Sequence, residues 1–226
     1  MSPPNHVNHA KHIQDFKDKL AECTQTAVCG RPFVLVAKLQ DWLRTQAKPS
    51  TTQISRQVSA AYRTRDRPNL PVSLNVFEPG STSCLLIFCI LHMIGHGDLI
   101  HTFTEEGIVD PQLPLPLDAI ENIFVKSNKK HLAREFIDKQ YRFCPRRFRF
   151  QYHAAWSNDM VIPICRKTPI NEGGTAHIWQ IEVPEEFVEE RLRQESSRSR
   201  FNAASSGAEP DMVSNLCKSA QPLGLP

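Results

Sequence analysis

The pattern with the clearest chemical potential is a glycine pair between two strand-like runs. Gly173 and Gly174 separate Met160–Cys165 from His177–Val183, and both runs are rich in apolar and β-branched residues. Because glycine has no Cβ, a glycine turn between strands lets backbone amides approach phosphate oxygens closely. The sequence therefore predicts a strand–turn–strand element able to contact a phosphate group.

Several histidines have a spacing that suits metal ligation on one helix face. No HExxH motif and no cysteine knuckle accompanies them, and the central histidines lie within or beside the most apolar segment. We therefore expect core or interface histidines with local partners, and no metal site. The three sets are His92, His96 and Cys89; His96, Asp98 and His101; and His6, His9 and His12.

The chain has seven cysteines, at positions 23, 29, 84, 89, 144, 165 and 217, and no CxxC motif. An odd number of cysteines without a secretory signal predicts reduced, mostly buried thiols and an intracellular protein, cytoplasmic or nuclear. No GxSxG elbow and no GxxxxGK[ST] phosphate loop is present. Nothing near any one cysteine singles it out as a nucleophile.

Charge is segregated along the chain, although 27 Lys and Arg nearly balance 24 Asp and Glu. Lys126–Arg149 carries nine basic and two acidic residues, a net charge of +7. Glu182–Glu195 carries six acidic and two basic residues, a net charge of −4. We favour two solvated helix faces that could lie opposite each other. The alternative is a basic and aromatic nucleic-acid surface at Arg142–Phe150.

Hydrophobic periodicity predicts mainly helices in the first two thirds of the chain. The run Leu85–Ile94 is apolar on nearly every side and is therefore predicted to be the central core helix. It is only about half as long as a membrane span, which favours a buried helix over a transmembrane one. Alternation in Pro71–Glu78 predicts an extended segment. Pro184 suits the first turn of a final helix. Further helices are predicted at about His9–Cys23, Phe33–Leu43, Asp118–Lys126 and Lys129–Phe143.

These elements predict a mainly α fold with a small β element, an α+β chain. A helical module is expected at 9–150, and a β element with a following helix at 160–195. The polar, aperiodic residues 196–226 are expected to form a disordered tail. No segment is predicted to span a membrane, and the partner is expected to be a protein.

The stretch PINEGGTAHIWQI resembles the glycine-rich loop of protein kinases, GxGxxGxV. More narrowly, the chain is similar to fungal kinase-like proteins, in which a helical extension precedes the kinase domain. The resemblance covers roughly residues 70–192. It is carried by the order and spacing of GHGDLIHTFTEEGIVDPQLPL, QYRFCPRRF, MVIPICRK and the glycine turn.

The resemblance places the nucleotide-contacting positions in a degenerate loop. Asn171 and Ala176 stand at the first and third glycine positions, Gly173 stands at the second, and Ile178 stands where a branched residue covers adenine. Gly174 completes the implied cofactor-binding set. The 57 residues from Ile170 to Pro226 contain no VAIK lysine, no HRD loop and no DFG motif. Phosphoryl transfer requires those groups to hold the nucleotide, its metal ions and the base.

The expected function is therefore that of a truncated, catalytically inactive kinase-like protein, an intracellular interaction or regulatory module without a cofactor. One alternative is weak ATP binding through the degenerate turn in a complex with another chain. A second alternative is nucleic-acid binding through the basic segment, which would show steep salt dependence.

Overall fold

The computed structural model describes residues 6–48, 51–62, 72–149, 158–173 and 176–194. The chain divides into two compact units. The helical unit comprises residues 1–24 and 33–144, and the C-terminal unit comprises residues 25–32 and 145–226. The predicted fold class is confirmed, because the chain is mainly helical with small sheets. That residues 25–32 join the C-terminal unit was not indicated by periodicity.

Among the described residues, the helical unit contains seven α-helices, and five of them lie close to helices predicted from apolar periodicity. None of the helices in the described ranges is long and apolar enough to cross a bilayer. The helices are α1 (His6–Cys23), α2 (Val36–Arg44), α3 (Gln53–Tyr62), α4 (Leu85–Met93), α5 (Ile100–Glu105), α6 (Leu117–Lys126) and α7 (Leu132–Phe143).

In the part of the chain that the structure describes, six short strands form three two-stranded sheets, with the orders β1-β2, β3-β4 and β5-β6. The last two sheets are antiparallel. The strands are β1 (Thr24–Thr26), β2 (Pro32–Val34), β3 (Gln46–Lys48), β4 (Thr51–Thr52), β5 (Arg166–Gly173) and β6 (Ala176–Glu182).

Helix α4 lies in the centre of the helical unit, as predicted from its uniform apolarity. All of its residues except Leu86 and Met93 are buried. A second part of the core forms where the aromatic rings of α5, α6 and α7 meet. Phe103 stacks on Phe136 with ring centroids 5.4 Å apart, and Phe124 packs edge-on against Phe103 at 5.7 Å. Apolar burial on this scale is the main source of the unit's stability.

The start of α4 is fixed by a carboxylate that lies far away in sequence. Asp110 accepts the backbone N–H groups of Leu86 at 3.0 Å and Ile87 at 3.1 Å, and the Ser83 hydroxyl donates to it at 3.0 Å. The first N–H groups of a helix have no partner within the helix, and a negative charge there also suits the helix dipole. The Ser83 Oγ also accepts the N–H of Leu85, at 3.4 Å.

A buried glutamine fastens the proline-rich connector between α5 and α6. The Gln140 side chain, fully buried, accepts from the N–H of Leu115 and donates to its C=O, both at 2.9 Å. The connector contains Pro114 and Pro116, which donate no backbone hydrogen bond. Gln140 therefore satisfies the backbone of Leu115 where no helix or sheet does so.

Two predictions of extended structure are wrong, that of Pro71–Glu78 from alternation and that of Met160–Cys165 from its apolar and β-branched residues. Residues Leu74–Phe77 form a 3-10 turn, in which the Ser73 hydroxyl accepts the N–H of Asn75 at 3.3 Å. Residues 161–165 are irregular, and the strand begins only at Arg166. There, Pro163 lacks an N–H, and the N–H of Ile164 turns back to the C=O of Ile162 at 2.8 Å. In both segments a hydrogen bond within a local turn takes the place of the backbone hydrogen bond to a neighbouring strand.

The helix predicted to begin at Pro184 is reduced to one 3-10 turn, Glu185–Phe187, which Pro184 immediately precedes. Helical backbone resumes at residues 190–194. The two are separated by Val188, which forms a parallel bridge with Phe148. The predicted tail, 196–226, lies outside the described residues.

Candidate functional site

The predicted strand–turn–strand element is present in the C-terminal unit as the antiparallel hairpin β5–β6. Arg166 pairs with Glu182 at the open end, and Gly173 pairs with Ala176 at the closed end. Only residues 174 and 175 connect the strands, which is the shortest common hairpin connection. The second predicted strand, His177–Val183, is thereby confirmed, whereas the first strand lies at Arg166–Gly173 and not at Met160–Cys165, and it includes Gly173 itself.

Four of the five residues implied by the kinase-like resemblance lie in this ladder. Asn171 is the register partner of Ile178, and Gly173 is the register partner of Ala176. Gly174, the fifth residue, lies outside the described residues. In the terms of the kinase-like resemblance, the residue at the first glycine position (Asn171) lies opposite the residue at the adenine-covering position (Ile178). The residue at the second glycine position (Gly173) lies opposite the residue at the third (Ala176).

Strand β5 is irregular in its middle. The register shifts between Pro169 and Asn171, so that Ile170 is an extra residue without a register partner. Ile170 is 44% exposed. Proline without an N–H and a bulge are both features of sheet edges. Sequence reasoning missed this bulge, although a proline inside a strand pattern was its visible signal.

The described side chains of β5, from Arg166 to Ile170, are all exposed. Successive side chains of a strand point to opposite faces, so neither face of this part of β5 is covered. On β6, by contrast, Trp179 and Ile181 are half-buried. A strand in a finished domain buries at least one face against a core.

Charges on the hairpin make two weak cross-strand contacts. The Lys167 ammonium lies 3.9 Å from the centre of the Trp179 ring, which is a cation–π contact. The Arg166 guanidinium lies 3.5 Å from the Glu182 carboxylate, and both side chains are more than half exposed. Exposed ion pairs contribute little to stability. These contacts orient the side chains but do not form a catalytic arrangement.

The predicted basic and aromatic surface, Arg142–Phe150, does not present its described aromatic rings together. Phe143 is buried in the core of the helical unit, with 2% of its surface exposed. Phe148, in the C-terminal unit, is half-buried, and its N–H donates to the C=O of Phe187 at 2.7 Å. Phe150 lies outside the described residues. Stacking on nucleic-acid bases requires accessible ring faces, which Phe143 does not offer.

Parts of the basic and acidic segments do come together within the C-terminal unit. The parallel bridge between Phe148 and Val188 places Arg147 and Arg149 beside Glu186, Glu189 and Glu190. These residues, with Val188 and Arg193, line a surface cavity of about 460 Å³. Arg147 and Arg149 of the basic segment therefore lie beside three glutamates of the acidic segment.

The histidines of the two central sets have individual partners. The buried His92 donates from Nε2 to Gln57 Oε1 at 3.1 Å and stacks on Phe88. Burial lowers the pKa of His92 to about 4, and Lys17 adds to the effect. His101 donates from Nδ1 to the C=O of Asp98 at 2.6 Å. Across the described residues, no three His, Cys, Asp or Glu side chains converge on a possible metal position.

His96 also has a partner, and it too is tied to the neutral form. The Lys129 ammonium donates to His96 Nδ1 at 3.1 Å. Partial burial and the nearby Lys129 charge lower the pKa of His96. A histidine nitrogen that accepts a hydrogen bond from lysine is not available to a metal.

The cysteine thiols divide into buried and exposed groups, and no disulfide joins the six in the described ranges. Burial raises the pKa of Cys84 to about 11 and that of Cys144 to about 12, and Asp110 adds to both. Because the thiolate is the reactive form, these two are poor nucleophiles. Cys29 and Cys165 are exposed. Cys217 lies outside the described residues.

No protein-family model, no curated protein and no solved structure matches this chain. The kinase-like resemblance therefore depends on the sequence pattern in residues 70–192 alone.

Proposed function

We propose that this chain is a catalytically inactive, kinase-like interaction module that binds another protein through the β5–β6 hairpin. The observation that carries the proposal is the exposure of β5 on both faces from Arg166 to Ile170. Such a strand is unfinished as part of a sheet domain, since neither face packs on a core. A partner surface laid against it would supply the missing layer.

The edge of β5 is poorly suited to the addition of another strand, whereas its exposed side chains are suited to contact a partner. Pro169 and the bulge at Ile170 interrupt the regular hydrogen-bonding row of β5, so strand addition at this edge is disfavoured. The exposed aliphatic side chain of Ile170 and the adjacent basic residues Arg166 and Lys167 favour a side-chain-mediated contact. A partner with an apolar spot flanked by acidic residues has the complementary chemistry.

Catalytic inactivity is supported by chemistry that these 226 residues lack. They contain no VAIK lysine, HRD loop or DFG motif, which in kinases position the nucleotide, its metal ions and the catalytic base. The purified chain, incubated with magnesium, labelled ATP and a general protein substrate, is expected to transfer no phosphate. Robust autophosphorylation would overturn this part of the proposal.

Nucleotide binding by the degenerate turn is tested separately by a thermal-shift titration with ATP and magnesium. We expect no shift up to millimolar ATP, because two strands alone do not enclose an adenine. A saturable shift that the substitution Gly173→Val abolishes would establish the ATP-binding alternative instead. The same titration with AMP controls for a general anion effect.

Hairpin-dependent association is tested with two matched substitutions of exposed aliphatic residues. Ile170→Lys alters the hairpin, whereas Val125→Lys alters α6, where Val125 is 55% exposed. Quantitative affinity capture with the full chain should give a partner that Ile170→Lys loses and Val125→Lys retains. Equal capture by the wild type and both variants would contradict a hairpin interface.

The proposed site of action is the cytosol or nucleus. The absence of disulfides among the six described cysteines is consistent with a reducing compartment. A fluorescent fusion at the C-terminus gives the location directly, and accumulation in the secretory pathway would refute it.

A further inference from the structure

Two exposed thiols of the C-terminal unit lie beside a direct contact between distant parts of the chain. The N–H of Val28 donates to the C=O of Ile164 at 2.8 Å. Cys29 and Cys165 are the residues that immediately follow, and both are exposed. With standard backbone dimensions, this hydrogen bond limits the separation of their Cα atoms to about 10 Å.

Two further contacts hold the same segments together. The Arg31 guanidinium donates to the C=O of Asn158 at 2.6 Å. The Cys165 thiol donates to Gln25 Oε1 at 3.3 Å, which directs its sulfur toward residues 25–32. A disulfide requires Cα atoms within about 7 Å, so a displacement of a few ångströms suffices. Cys29 lies in an exposed turn before Gly30, where such a displacement is least costly.

The other described cysteines are less suited to react. Cys23, Cys84 and Cys89 are buried, and Cys144 is half-buried. Burial also raises the pKa of Cys89 well above its usual value. Cys29 and Cys165 are thus the two described cysteines that a reagent in solution reaches readily, and they belong to one compact unit.

We propose that Cys29 and Cys165 form a reversible intramolecular disulfide when a small-molecule disulfide such as oxidised glutathione is present. In the first step the Cys29 thiolate attacks one glutathione sulfur, the glutathione S–S bond breaks, and one glutathione thiolate leaves. In the second step the Cys165 thiolate attacks the Cys29 sulfur and releases the second glutathione. Two protein thiols are oxidised, one glutathione disulfide is reduced, and the two thiol protons pass to the two released glutathiones.

The order of attack follows from the surroundings of the two sulfurs. Partial burial and the Glu182 carboxylate raise the pKa of Cys165, so less of it is thiolate near neutral pH. The turn containing Cys29 is open to solvent. The disulfide would fasten residues 25–32 to the segment that leads directly into β5, and so would tie the base of the hairpin to the turn between β1 and β2.

The test is oxidation of the purified full-length chain with excess oxidised glutathione, followed by intact mass measurement and peptide mapping. We expect wild-type protein to lose two hydrogen atoms, keep no glutathione, and yield a Cys29–Cys165 cross-linked peptide that dithiothreitol cleaves. Cys29→Ser and Cys165→Ser should each trap glutathione on the remaining cysteine. Cys144→Ser is the matched control and should behave as wild type.

Three outcomes would overturn the proposal. Wild type that retains glutathione on both Cys29 and Cys165 would show that the sulfurs do not meet. A cross-link from either cysteine to another, including Cys217, would show that a different pair reacts. An internal disulfide that forms in both single variants at the wild-type rate would likewise mean that other cysteines are the ones oxidised. Because peptide mapping uses the wild-type chain, the result does not depend on the folding of any variant.

Discussion

The helical unit and the hairpin of the C-terminal unit differ in how much of their side-chain surface is buried. The helical unit covers apolar helix faces and also provides partners for buried polar side chains such as Gln140 and Asp110. The hairpin leaves both faces of β5 exposed from Arg166 to Ile170. The helical unit therefore supplies most of the buried surface that stabilises the chain, whereas the exposed surface of β5 is where we propose that a partner binds. Each of the following experiments tests this difference.

The largest effect is expected from Phe136→Ala in the helical unit. Phe136 is fully buried between Phe103 and Phe124, so removal of its ring leaves a cavity. Substitutions of this kind destabilise by about 3–5 kcal/mol. Urea unfolding followed by circular dichroism measures the change, with Phe148→Ala, at a half-buried position, as the control. A loss below about 1 kcal/mol would show that the aromatic cluster is not a rigid core.

A pH effect of about 3 kcal/mol is expected from His92. Burial lowers its pKa from 6.5 to about 4 in the folded chain, so between these values only the unfolded chain binds the proton. The contribution of His92 to stability is therefore complete above about pH 6.5 and declines as the pH falls toward 4. When the unfolding free energy is plotted against pH, wild type and His92→Leu should have the same slope above pH 7 and different slopes between pH 4 and 6.5.

The exposed Asn122, which does not titrate, provides the control for the pH experiment. Asn122→Leu should leave the slope between pH 4 and 6.5 as it is in the wild type. Equal slopes for wild type and His92→Leu would mean that the imidazole is charged in the folded core, which would contradict burial as the cause of its lowered pKa.

An intermediate effect is expected from Gln140→Met. Methionine has a similar length, but the N–H and C=O of Leu115 would lose their partner in a buried position. Leaving a buried backbone group unsatisfied costs about 1–3 kcal/mol. Urea unfolding should show this loss, and Gln194→Met, at an exposed position, should show none. An unchanged midpoint would indicate that water replaces Gln140.

The smallest effect on stability is expected from Ile170→Lys in the hairpin. Its side chain is already 44% exposed and lies in a bulge, so the unfolding free energy should change by less than about 0.5 kcal/mol. The same variant should lose the proposed partner. A large loss of stability together with retained binding would reverse the assignment of roles to the two regions.

Much of the fold could be predicted from the residue pattern, because amphipathic periodicity reports burial within one element. The helices predicted at His9–Cys23 and Phe33–Leu43 are observed as His6–Cys23 and Val36–Arg44. The strand His177–Val183 is observed as Ala176–Glu182. By contrast, alternation misplaced an extended segment at 71–78, and apolar, β-branched composition misplaced a strand at 160–165, since neither pattern registers a turn hydrogen bond or a missing N–H.

The candidate site was predictable in its position but not in its exposure. The glycine pair, with strand-like runs nearby, identified the hairpin, and the register pairs Gly173 with Ala176. The bulge at Ile170 and the uncovered faces of β5 could not be read from the residues. Whether a strand has a covering layer depends on the rest of the fold and not on its own pattern.

The sequence by itself determined the positions of the main helices of the helical unit, the second strand of the hairpin and the lack of kinase catalytic motifs, because these depend on nearby residues. Only the tertiary structure decided which polar groups are buried and by what they are satisfied: His92 by Gln57, the start of α4 by Asp110, and Leu115 by Gln140. The tertiary structure also decided that the N–H of Val28 donates to the C=O of Ile164. These pairs lie far apart along the chain, and a buried polar group takes whichever partner the packing places within hydrogen-bonding distance.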